Sequence, residues 1–122
     1  MKENVIVDKS FLFAIKIVNQ YKILCEVKRE FVLSKQMLRS GTSIGANVRE
    51  AHNGESKNDF IHKMAIAQKE AAEVLYWAEL LYKTEYLSNE EYNSLYKDAT
   101  ELIKIIKSII ISTKQNVSKL ER

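Results

Sequence analysis

Apolar residues recur along most of this chain at alternating steps of three and four, the spacing that stacks side chains on one face of an α-helix. Phe11, Ala14, Val18, Tyr21 and Cys25 form one such seam, and Met37, Gly41, Ile44, Val48 and Ala51 a second. Phe60, Met64, Ala67, Ala71, Val74, Ala78 and Leu81 follow it over three heptads, and Tyr92, Leu95, Ala99, Leu102, Ile106 and Ile109 close the series. The pattern predicts four amphipathic helices in one domain spanning residues 1–122, at about 8–28, 31–53, 56–84 and 88–117. Short connections between them predict an up-down-up-down bundle.

The expected boundaries rest on capping chemistry. Asp8 suits an N-cap, with Val7 and Leu12 as a hydrophobic staple across it. The first connection falls around Lys28-Arg29-Glu30, where the apolar period weakens. Asn53-Gly54 is a stop signal, because both residues tolerate the left-handed conformation. Ser56-Lys57-Asn58-Asp59 and Ser88-Asn89-Glu90-Glu91 have capping-box spacing.

Two segments depart from a plain core pattern. The run from Arg39 to Glu50 holds two of the three glycines, Gly41 and Gly45. Each costs about 1 kcal/mol in a helix relative to alanine. Something other than propensity holds this helix, and close approach of a neighbour is the expected reason. The fourth helix carries a second apolar stripe, Tyr96, Ile103, Ile110 and Val117, with Ile105 and Ile111 also off the main seam. An apolar surface that wide predicts either a central position in the bundle or an oligomer interface.

Composition narrows the class. The chain has 122 residues, 46% of them hydrophobic, and no proline. That combination favours long uninterrupted helices in a single all-α domain. The single cysteine, Cys25, cannot form an intramolecular disulfide and lies on an apolar seam, so a reduced cytoplasmic setting is expected. The N-terminal sequence does not read as a secretory signal, and the apolar run from Leu102 to Ile111 is too short to span a bilayer. No membrane association is expected.

Net charge is +3, which permits a polyanion partner without requiring one. The excess lies in the first half, where Met1 to Glu55 holds nine Lys or Arg against six acids. Lys28, Arg29, Lys35, Arg39 and Arg49 are the candidate nucleic-acid contacts. Lys35, Arg39, Thr42 and Arg49 share one arc of the second helix, so they could form a positive stripe, or else a solvated face or a set tied up in intersubunit hydrogen bonds. His52 and His62 are the only histidines. A di-iron bundle needs paired Glu-x-x-His elements that the chain lacks. Asp59 before His62 is better explained as the partner of the Ser56 cap, and Lys69 with Glu73 as an i,i+4 ion pair. No catalytic residue, metal or cofactor is expected. Trp77 with Tyr76, Tyr82, Tyr86, Tyr92 and Tyr96 could stack on unpaired bases, but packing at a bundle end is the commoner use.

Arg39 through Ala51, then Ser56 through Met64, then Lys69 through Glu73 with Tyr76-Trp77, together resemble a bacterial family. These are the four-helix-bundle proteins first noticed inside intervening sequences of 23S ribosomal RNA genes. The resemblance implies a left-handed four-helix bundle that assembles as a ring, most often a homopentamer. It also implies similarity to the accessory variability protein of diversity-generating retroelements, which binds a reverse transcriptase and nucleic acid. The family signature falls here on Ser40, Ser43, Ile44, Asn47, Glu50, Phe60, Lys63, Glu70 and Trp77. The chain departs from the pattern at Gly41, where alanine is common, and at Arg49. The resemblance supplies no catalytic residue. Two functions remain open: a ring-forming adaptor that binds RNA or DNA, and an assembly scaffold for another protein.

Overall fold

The computed structural model describes residues 2–121. Among these it contains four helices and no strand: α1 (Lys2–Glu26), α2 (Leu33–His52), α3 (Lys57–Lys83) and α4 (Asn89–Glu121). Successive helices pack on each other, and α1 closes the set against α4. The α2/α3 pair is the most extensive and α1/α4 the thinnest. Cross-helix contacts run in opposite senses along the chain. Lys9 meets Glu101 whereas Gln20 meets Glu91, and Glu50 meets Lys63 whereas Arg39 meets Glu70. Neighbouring helices in these pairs are therefore antiparallel.

The core seams of α2, α3 and α4 lie where the periodicity places them, except that Phe60 and Tyr92 at the seam ends are half-buried. Helix α1 differs. Its buried line is Ile6, Ser10, Phe13, Ile17 and Leu24, while Phe11 is 49% exposed and Ala14, Val18, Tyr21 and Cys25 are half-buried. The helix is apolar around most of its circumference, so period alone does not phase it. A serine in the true seam hides the line further. Helix α1 also begins at Lys2, not near Asp8; Asp8 is exposed within it and Leu12 points to solvent, so neither cap nor staple forms.

Buried Ser10 lies against Gly45 of α2. A Cβ built on Gly45 would lie 3.3 Å from the Ser10 carbonyl oxygen, and one on Gly41 only 2.7 Å from Cγ1 of the buried Ile17. The two glycines let α2 lie directly on α1, which explains how a helix of poor propensity is held.

The expected caps at Ser56 and Ser88 form, whereas the left-handed positions are not the expected ones. Ser56 accepts from the Asp59 N–H at 3.0 Å, and Ser88 with Glu91 closes a capping box in both directions. Asn53 and Gly54 end α2 without positive φ. Among the described residues the left-handed positions are Arg29, φ 58°, and Glu85, φ 71°. At Glu85 the N–H of Tyr86 reaches Leu81 O at 2.8 Å and the N–H of Glu85 reaches Tyr82 O at 3.0 Å, a Schellman motif built without glycine.

The second stripe of α4 is divided. Ile103, Ile105 and Ile110 pack partly against the core, whereas Tyr96 and Ile111 are exposed.

The Gly41 contact yields a test. Gly41→Ala is expected to cost about 1–3 kcal/mol, because Ile17 branches at the point of collision and cannot swing clear. In an Ile17→Ala background the same substitution is expected to be neutral or to stabilise by up to about 1 kcal/mol, as alanine does in an open helix. Urea unfolding of the two single variants and the double variant measures this coupling.

Candidate nucleic-acid and assembly interface

The polar face of α2 is chemically quieter than its composition suggests. Ser40 Oγ donates to Gln36 O at 3.1 Å, Thr42 Oγ1 to Leu38 O at 2.8 Å and Ser43 Oγ to Arg39 O at 2.6 Å. Asn47 Nδ2 donates to Ser43 O at 2.8 Å. Each side chain folds back on the carbonyl one turn earlier, so these donors are used within the helix.

The five candidate cations fall into distinct environments. Arg39 bridges to α3, donating to Glu70 at 3.2 Å and to Glu73 at 2.7 Å. Glu73 thus pairs with Arg39, not in the expected bond with Lys69. Lys63 reaches Glu50 at 3.3 Å on the same helix pair. Glu50, Lys63 and Glu70, expected as signature or interface residues, are in this way drawn into bonds within one chain. Arg49 leans the other way, its guanidinium 4.8 Å from the centre of the Phe11 ring on α1. Arg29 lies 5.2 Å over the Phe31 ring, a cation–π contact beside the first connection. Lys28 and Lys35 are exposed. Among the described residues, Lys28, Arg29, Lys35 and Arg49 form no ion pair with a carboxylate. The arc expected to carry a continuous stripe is therefore split, with Arg39 turned toward α3 and Arg49 toward α1.

Ile44 is core, and Phe60 packs edge-on to His52 with ring centres 5.5 Å apart. Trp77 packs on the core, T-shaped to the exposed Tyr76, and its buried Nε1–H finds no acceptor among the described residues. Tyr82 stacks on Tyr92 with centres 4.8 Å apart and 5° between planes, and donates to Asn89. Tyr82, Tyr86, Tyr92 and Trp77 pack against the core; Tyr76 and Tyr96 are exposed. Burial, followed by the charge of Glu79, raises the Tyr92 pKa above the usual tyrosine value.

Sequence reasoning missed two elements. One is the brace between α1 and α4: Lys16 bonds Asp98 at 2.6 Å and the Ser94 hydroxyl, and Lys9 bonds Glu101 at 3.0 Å. These partners are about eighty to ninety residues apart, so no local pattern reveals them. The other is Glu30. Its buried carboxylate accepts from the N–H groups of Val32, Leu33 and Ser34 at 3.1, 2.9 and 2.7 Å and so caps α2. The capping position itself, Val32, has no side-chain bond to give.

Among the described residues no cluster of three or more His, Cys, Asp or Glu side chains could hold a metal, and no helix is long and apolar enough to cross a membrane. The fold and surface define an all-helical, four-helix protein whose distinctive features lie on the α2/α3 face. The chain belongs to the 23S rRNA-intervening sequence protein family, whose model matches residues 2–108. It is also similar to a protein of unknown function from the S23 ribosomal protein family of Bacteroides thetaiotaomicron VPI-5482, known from a crystal structure at 1.70 Å. That likeness has a TM-score of 0.89 at 57% identity and covers 90% of this chain and 98% of the other. No curated protein matches the chain. Neither description names an enzymatic activity.

Glu30 supplies a pH test. Burial alone would raise its pKa, but the N–H groups of Leu33 and Ser34, the Ser34 side chain and the Val32 N–H outweigh it, and the pKa lies below the ordinary value. A carboxylate with a depressed folded-state pKa contributes stability above its unfolded value, about 4.3, and loses it as pH falls through the folded value. Glu30→Gln is expected to cost about 1–2 kcal/mol at neutral pH. The gap between the two proteins should close as pH drops below about 4. Thermal unfolding of both across this range checks the sign.

Proposed function

We propose that this protein is a non-enzymatic, cytoplasmic adaptor that assembles as a homo-oligomeric ring and binds RNA or DNA. On this reading the subunit is a left-handed, up-down-up-down bundle, and the ring is most often a pentamer. The observation that carries the reading is the set of exposed cations on and beside α2, Lys28, Arg29, Lys35 and Arg49, which form no ion pair with a carboxylate among the described residues. A ring repeats that set in every subunit, which turns a modest monomer charge into a multivalent surface. Contacts of this type meet phosphates and carry little base specificity. A reverse transcriptase or another protein would be the second component that the adaptor joins.

A second reading has one observation in its favour. Arg39 is held by Glu70 and Glu73, and the α2 hydroxyls are satisfied within the helix. A face so consumed suits a scaffold for another protein with no nucleic-acid contact.

Fluorescence anisotropy with labelled RNA and DNA separates the two. Binding at about 50 mM salt is expected, falling log-linearly as salt rises. Lys35→Ala with Arg49→Ala should weaken it and reduce the salt slope by about one for each phosphate that is no longer neutralised. The oligomer mass should stay unchanged. No binding at about 50 mM salt would overturn the nucleic-acid reading, since phosphate-driven affinity is strongest there. A monomeric mass would overturn the ring.

A further inference from the structure

The end of the bundle where α1 passes into α2 carries exposed apolar side chains that phosphate contacts do not use. Ile23 and Val27 lie one turn apart at the end of α1, and Phe31 and Val32 follow in the connection. They are 42%, 68%, 49% and 71% exposed. No other ten-residue stretch among the described residues exposes as many large apolar side chains. Isolated exposed apolar residues need no explanation, but a contiguous group marks an interaction site.

This tip is held in place. Arg29 sits in the left-handed region, a conformation that costs a non-glycine residue about 1–2 kcal/mol. It is kept there from both sides. The Lys28 N–H reaches Ile23 O at 3.2 Å, the Glu30 N–H reaches Leu24 O at 2.9 Å, and the Glu30 carboxylate takes three backbone N–H groups of the α2 start. Strain maintained by over-determined neighbours is a feature of recognition sites. Phe31 and Val32 are consequently displayed in a fixed geometry, which lowers the ordering cost of binding.

The exposed charge of the segment itself is one-sided. Lys22, Lys28, Arg29 and Lys35 are exposed, against Glu26 alone among exposed acids from Lys22 to Lys35. Glu30 faces inward. On α4, Glu91 accepts from Gln20 and from the Ser88 N–H, and the Lys28 charge is one of the influences that lower its pKa.

The apolar chemistry decides between polyanions. Base stacking needs open aromatic faces. Three of these four side chains are branched aliphatics, and the one aromatic ring, Phe31, already carries the Arg29 guanidinium. Aliphatic surface gains free energy when it is covered by other apolar side chains. We infer that this tip docks an acidic amphipathic helix of a partner protein, its apolar stripe on Val27, Phe31 and Val32 and its carboxylates on Lys28, Arg29 and Lys35. The inference goes beyond the proposed function and shares Lys28, Arg29 and Lys35 with it, so peptide and nucleic acid compete for these cations.

The probe is a fluorescein-labelled peptide helix of about five turns, with leucines at i, i+3, i+4 and i+7 and glutamates elsewhere. It is titrated with the full chain by anisotropy. Saturable binding is expected. Val27→Ser with Val32→Ser should weaken it at least about tenfold, and so should Lys28→Glu with Lys35→Glu, with circular dichroism unchanged in both. A comparator peptide with lysine in place of every glutamate should not bind. The inference is overturned if that comparator binds equally, or if neither double variant weakens the acidic peptide. It is also overturned if the serine variant changes the oligomer mass, which would assign the tip to a second copy of this chain. Loss of affinity for a single strand of about 12 thymidines in the serine variant, with no peptide binding, would assign it to nucleic acid.

Discussion

The close approach of α2 to α1 at Gly41 and Gly45 governs how the rest of the bundle is placed. Glycine in mid-helix weakens the helix by about 1 kcal/mol per residue, so two of them in one 20-residue element are a local liability. They are tolerated because each removes a Cβ that would collide with α1, at Ile17 and at the Ser10 carbonyl. With the backbones so near, Met37, Ile44 and Val48 are fully buried. Most helical stability in proteins comes from such packing and little from propensity. Ile17 and Gly41 act as one unit, a bulky residue and the space that receives it.

From that contact outward, each further interaction orients α2. Glu30 supplies the cap that Val32 cannot, and Arg39 ties the outer face to two carboxylates of α3. The α1/α4 seam is thinner and relies more on polar braces, with Lys16 and Lys9 reaching across to Asp98 and Glu101. Exposed ion pairs of this kind contribute at most about 1 kcal/mol. The bundle is thus tightest around α2 and loosest between its first and last helices, and the exposed tip lies at the junction of α1 with α2.

How much of this was legible in the sequence depended on how narrow each apolar stripe is. Helices α2 and α3 have one seam each, so period placed their buried residues from Met37 to Ala51 and from Met64 to Leu81. Helix α1 has apolar residues on nearly every side, and its seam was misplaced because Phe11 looked as good a core residue as Phe13. Burial of Ser10 makes sense only with Gly45 in view. Local caps at Ser56 and Ser88 were readable; the cap from Glu30 was not, because a carboxylate two residues ahead of the capping position has no familiar spacing. The cations of the site were all visible as residues. Their partners were not, since Glu70, Glu73 and Phe11 meet them only through the tertiary fold.

The two glycines and the cations Arg39 and Arg49 lie on one helix, and the account depends on that helix being held by packing against α1. Native-state amide hydrogen exchange measures this most directly. Ile44 and Val48 are expected to exchange only by global unfolding, with the same opening free energy as Ala71 and Val74 in α3. Exchange of Ile44 and Val48 through a local opening well below the global free energy, while α3 stays protected, would contradict it.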